Sequence, residues 1–126
     1  MSFDVFFQGF LHGDATRGVG ELLRQVLQPF ITREEPDRRF AHVEFGDGTA
    51  DVYFDGDGML VNHVSGDRPW DLLVEGARAA GCVILPVGCP TCITDDVQRA
   101  HLPEGLSDEV VLVMSGGDLL RVIRAS

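Results

Sequence analysis

Two cysteines three positions apart, Cys89 and Cys92 in the unit Cys-Pro-Thr-Cys, carry the clearest chemical potential of this 126-residue chain. A redox dithiol needs its first sulfur at a helix N-terminus, where free N–H groups and the helix dipole favour thiolate. Cys89 suits such an N-cap with Pro90 at the first helical position. The competing register starts the helix at Thr94 or Asp95 and leaves both cysteines in the preceding loop. A structural zinc site instead wants four Cys or His ligands. The chain offers Cys89 and Cys92, with His101 downstream and Cys82 pointing out of a buried strand, so the second pair is missing unless an Asp or a symmetry-related subunit completes it. The third reading is that free cysteines are small hydrophobes and among the most buried residue types. That reading is adopted: Cys89 and Cys92 remain candidates for thiol or metal chemistry, His101 for metal alone, and no cofactor is assigned.

The Cys-Pro-Thr-Cys unit resembles the active-site motif of glutaredoxins, and the resemblance ends with those four residues. Folds of that kind place the dithiol after the first strand and build most of the sheet afterwards, whereas only 34 residues follow Cys92. Asp95 and Asp96 would also oppose a thiolate, the nearest cation in sequence being Arg99.

Other constellations fall short of chemistry. A calcium loop opening at Asp55 fails because its fifth, sixth and twelfth positions are Met59, Leu60 and Gly66, so the acidic turns read as hairpin chemistry. His12, His42, His63 and His101 are scattered, with no i, i+4 pair and no acid at catalytic spacing in sequence. A G-x-S-x-G elbow is missing. Ser115-Gly116-Gly117-Asp118 lacks the lysine of a phosphate loop and reads as a strand-to-helix turn capped by Ser115 or Asp118. Trp70 falls at helical spacing with Leu73 and Val74 and reads as core.

These residues must be positioned by a small mixed scaffold. The aromatic run of residues 3 to 10 predicts an interior strand. Val19, Leu22, Leu23, Val26, Leu27 and Phe30 form one helical stripe that ends near Gln28, before Pro29. After the polar segment TREEPDRR, runs at 39–45, 49–54 and 59–64 are separated by Gly-Asp turns, which predicts a meander. Pro69 opens a second helix through Ala80 to Gly81, followed by a strand at 82–87. Residues 88–108 read as irregular, with a turn of helix around 95–100; a last strand at 109–114 and a helix from 116 to 125 close the chain. The expected fold is a single α+β domain over residues 1–126: a mixed, largely antiparallel sheet, two main helices packed mostly on one face, and a short C-terminal helix.

Composition bounds the partners. Twenty carboxylates face ten cations, all arginine, for a formal charge of −10. The absence of lysine is the bias of a high-GC bacterial genome. Such a surface lacks the basic footprint of a nucleic-acid binder and repels anionic membrane, while it steers basic proteins inward. No apolar stretch is long enough to span a bilayer and the N-terminus lacks a basic signal region, so the cytoplasm is expected.

The segments SFDVF, MLVN with PWDLL, and LPEGL with VVLVMSGGDLLRVI, within residues 2–6, 59–73 and 102–123, look like those of a group of small uncharacterised bacterial proteins. That resemblance implies one intact α+β domain and transfers no functional residue. The function read from the sequence is a non-enzymatic interaction domain, in the manner of immunity proteins or regulatory adaptors, that binds a basic protein; homodimerisation stays open. The alternative is a thiol redox or metal-binding protein using residues 89–92.

Overall fold

The structure is a computed structural model that describes residues 3–126. Met1 and Ser2 lie outside it, and with Ser2 the first residue of SFDVF. The opening apolar run forms β1 (Val5–Gln8) and then turns at Gly9 into a small hairpin, β2 (Phe10–Leu11) and β3 (Asp14–Ala15), instead of continuing as one strand. The apolar stripe after it becomes α1 (Val19–Leu27), which gives way to a 3-10 turn at Gln28 ahead of Pro29. The polar segment expected to be a connection contains β4 (Ile31–Glu35).

The meander follows as β5 (Phe40–Phe45), β6 (Gly48–Phe54) and β7 (Gly58–Ser65). The second stripe is α2 (Arg68–Ala80), stopped by Gly81 at φ 70° in the left-handed region that glycine tolerates. Next come β8 (Val83–Pro86), a short β9 (Thr91–Ile93) inside the stretch expected to be irregular, and a 3-10 turn over Asp96–His101. The chain ends in β10 (Val110–Leu112) and α3 (Gly116–Arg124), whose first turn Ser115 caps by accepting the Asp118 N–H at 3.1 Å.

One sheet of eight strands runs in the order β10-β9-β8-β1-β7-β6-β5-β4, with β1 in its interior as its aromatic content demands. Neighbours pair antiparallel except β9 with β10, which are parallel. The helices cover one face. Val5, Phe7, Val43, Val52, Val61 and Ile84 meet Leu23, Leu27, Leu73, Val74 and Leu119 there, all at most 2% exposed. Burying each such side chain contributes about 1.5–3 kcal/mol. Close approach of α3 to α2 rests on Gly116, where a Cβ would fall within 2.6 Å of the Trp70 carbonyl carbon.

The opposite face is covered only at one end, where Leu102 packs on Val83 and Ile93, with Phe10 and Leu85 at the margin. Across the rest, strand register lines side chains into rows. Leu85, Phe6, Leu60, Tyr53 and Phe40 make an apolar row across β8, β1, β7, β6 and β5. Beside it runs a polar row of Asn62, Asp51, His42 and Arg33.

Candidate functional site

The Cys-Pro-Thr-Cys segment does not open a helix. Cys89 stands in a turn, half-buried, and Cys92 stands in the middle of β9. The helical turn starts after Asp95, whose carboxylate accepts the Val97 N–H at 3.0 Å, so the later of the two registers is the one adopted. Alternation along β9 sends Cys92 to the helix-covered face opposite Ile84, where it is fully buried. Burial pushes its thiol up to about 12, and the neighbouring Cys89 adds to the rise. Cys82 does not point outward as expected; it lies in the same core with its thiol also pushed up to about 12 by burial. Thiolate is therefore suppressed at both, in contrast to the helix-dipole environment that reactive cysteines occupy.

His101 is engaged elsewhere. Its Nδ1 accepts the backbone N–H of His12 at 3.2 Å, its ring meets the His12 ring edge-on at 4.9 Å, and its carbonyl accepts the Gly13 N–H at 2.9 Å. It thereby clamps the β2–β3 hairpin, in which His12 adopts φ 52°. Among the described residues, no group of three or more His, Cys, Asp or Glu is arranged to hold a metal ion.

The acidic turns are built as hairpin chemistry. Asp55 Oδ1 accepts the N–H groups of Asp57 at 2.8 Å and Gly58 at 2.7 Å. Asp47 reaches from the β5–β6 turn to the start of α2, accepting from Arg68 N–H at 2.8 Å and Asp67 N–H at 3.1 Å. Those two N–H groups, Arg68 first, hold its carboxyl below the usual carboxylate range.

One cluster escaped the sequence reading. On the open face Asp51 accepts from two imidazoles: His42 Nδ1 at 2.8 Å from Oδ1 and His63 Nδ1 at 3.1 Å from Oδ2. A carboxylate only accepts, so each ring donates its Nδ1–H to Asp51. His42 and Asp51 are register partners on β5 and β6. His63 reaches the same carboxylate through an irregularity between β6 and β7, where its φ of 51° turns the side chain over. Beside them Asn62 donates to Asp4 Oδ1 at 3.2 Å while its own Oδ1 is buried without a partner among the described residues. The cluster staples three strands, and among the described residues no Ser, Thr or Cys nucleophile bonds to either imidazole.

A groove of about 680 Å³ lies elsewhere, between β10 and α3. Val111 and Val122 give it apolar surface, Gly88 and Pro90 line it from the turn before β9, and Glu109 lines it as well. Its cation, Arg121, is ion-paired with Asp118. Sequence reasoning missed this feature because β9 and its parallel pairing with β10 were not foreseen; the charge-free run Val110-Val111-Leu112 behind Asp108 and Glu109 was the available signal.

Among the described residues, no helix is long and apolar enough to cross a membrane. Compared with known proteins, the chain matches no family model, no curated protein and no solved structure. The class defined by fold and surface is thus an acidic α+β domain with one helix-covered and one largely open sheet face.

Proposed function

We propose that this protein is a non-enzymatic interaction domain that binds a basic protein partner in the cytoplasm, as an immunity-like or regulatory module. The observation that carries the reading is the uncompensated negative surface. Six of the ten arginines already pair with carboxylates, namely Arg24, Arg33, Arg68, Arg99, Arg121 and Arg124. Glu44, Glu75, Asp108 and Glu109 are exposed and pair with no arginine among the described residues. Part of the acidity has local work: Asp47 and Asp55 bind backbone N–H groups, so the dense aspartates between residues 47 and 71 weigh less than their number suggests. The remainder forms a field that accelerates encounter with cations and rejects nucleic acid and anionic membrane.

The thiol alternative draws little support, since the buried Cys92 disfavours the ionised form that both nucleophilic and metal-ligand roles require. The test is affinity capture from the native host at low and at high salt, with Asp108→Asn/Glu109→Gln as control. Retention of a defined basic protein, released by salt and weakened in the control, is expected. Retention that ignores salt, or only acidic partners, would sink the reading.

A further inference from the structure

We propose that the free edge of β10, with the groove beside it, takes an extended basic segment of the partner as an added strand. The proposal rests on the interaction reading above and names its surface and binding mode.

The sheet has two edges, and they differ. β4 carries Arg33, Glu34 and Glu35, has a register irregularity between Ile31 and Arg33, and is followed at once by Pro36. Charge, irregularity and proline are the usual means by which an edge is kept from pairing. β10 has none of them: it reads Val110-Val111-Leu112, and Leu112 is 41% exposed.

Its backbone is also aimed outward. The Glu109 carbonyl accepts from Thr91 N–H at 3.0 Å and the Val113 N–H donates to the Ile93 carbonyl at 2.9 Å, so the odd-numbered residues face β9. The two-residue period of a strand then leaves the N–H and C=O groups of Val110 and Leu112 on the open side.

The flanks select the occupant. Alternate side chains of an added strand would enter the groove over Val111 and Val122, and the others would stand on the opposite face of the sheet beside Val110 and Leu112. Glu109, which lines the groove, and the adjacent Asp108 are exposed and pair with no arginine among the described residues, whereas Arg121 is neutralised by Asp118. Cationic side chains are therefore favoured. A second copy of this chain would bring the same carboxylates and a charge of −10 of its own.

The probe is a capped peptide alternating valine and arginine, followed by fluorescence anisotropy and by amide chemical shifts of the labelled protein. Controls replace its arginines by glutamate or its valines by proline. Binding is expected for the first peptide alone, with shifts concentrated on residues 109–113 and α3. Leu112→Pro removes an outward N–H and the Leu112 side chain while leaving the β9-facing bonds of its neighbours, a change an edge strand accommodates, and should weaken binding roughly tenfold. The exposed pair Asp108→Asn/Glu109→Gln, whose native side chains make no hydrogen bond or ion pair among the described residues, should weaken it several-fold and flatten its salt dependence.

Failure of the peptide to bind overturns the proposal, as does unchanged affinity in a Leu112→Pro protein whose circular dichroism is native. Salt-sensitive binding with shifts around His42 and Asp51 overturns the edge assignment while leaving the interaction reading standing. A dimer dispersed by Leu112→Pro in sedimentation would show that a second copy, not a basic segment, fills the edge, and would overturn it too.

Discussion

Exposing the native protein to a thiol reagent separates the two readings of Cys-Pro-Thr-Cys. Burial pushes the Cys92 thiol up to about 12, which at about pH 8 leaves it roughly a thousandfold less thiolate than an unperturbed cysteine. Its side chain is also 0% exposed, so reagent reaches it only when the structure opens locally. Cys82 shares both features, while Cys89 is half-buried in a turn. Labelling with iodoacetamide, followed residue by residue by mass spectrometry, should therefore modify Cys89 first. Cys82 and Cys92 should lag by three orders of magnitude or more and catch up in denaturant. The same shifts predict an alkaline limb: a thiol raised on folding contributes stability that is present below about pH 9 and is lost as pH climbs toward about 12. Cys92→Ala should flatten that limb. The reasoning is refuted if Cys92 is alkylated as fast as Cys89 in the folded protein, or if a Cys89–Cys92 disulfide forms under mild oxidant with the fold intact.

Three further outcomes follow from particular contacts. Asp47 and Asp118 are held low first by backbone N–H groups, of Arg68 and Met114 respectively, so each stabilises the fold above its unfolded value and the contribution fades as pH falls through the folded one. Asp47→Asn with Asp118→Asn should thus flatten the acid limb of a stability–pH curve, and an unchanged limb would count against the capping roles. Gly116→Ala should cost about 1–3 kcal/mol in chemical denaturation, because the new methyl meets the α2 backbone at Trp70 and Asp71; a neutral result would mean the helices part freely. Asp51→Ala should release both imidazoles from the Nδ1–H tautomer, seen as a shift toward Nε2–H in nitrogen NMR at His42 and His63, and unchanged spectra would dissolve the cluster.

Helices were legible in the sequence because each writes a full apolar stripe, as Leu23 and Leu27 do in α1 or Leu73 and Val74 in α2. Four strands were not, among them β2 and β3 of the small hairpin, two residues each and too short to show a pattern. β4 lies at an edge with its middle residues exposed, so Thr32, Arg33 and Glu34 show no alternation to read. β9 is three residues long and buried throughout, and its Thr91 and Cys92 read equally well as loop. The histidine cluster depended on a single residue of turn length. With strands ending at Phe45 and resuming at Gly48, His42 pairs with Asp51; placing Gly48 in the turn shifts that register and separates them. His63 needed more, since only a left-handed φ brings it to that face. A Gly-Asp pair read as a two-residue hairpin turn would have recovered the first contact and not the second.

Amide hydrogen exchange along β10 measures the central claim most directly. In the free protein the N–H groups of Val110 and Leu112 should exchange rapidly while those of Val111 and Val113 are protected by β9, and addition of a basic strand-forming partner should slow the first two. Protection of Val110 and Leu112 before any partner is added, or fast exchange that persists with the partner bound, would contradict it.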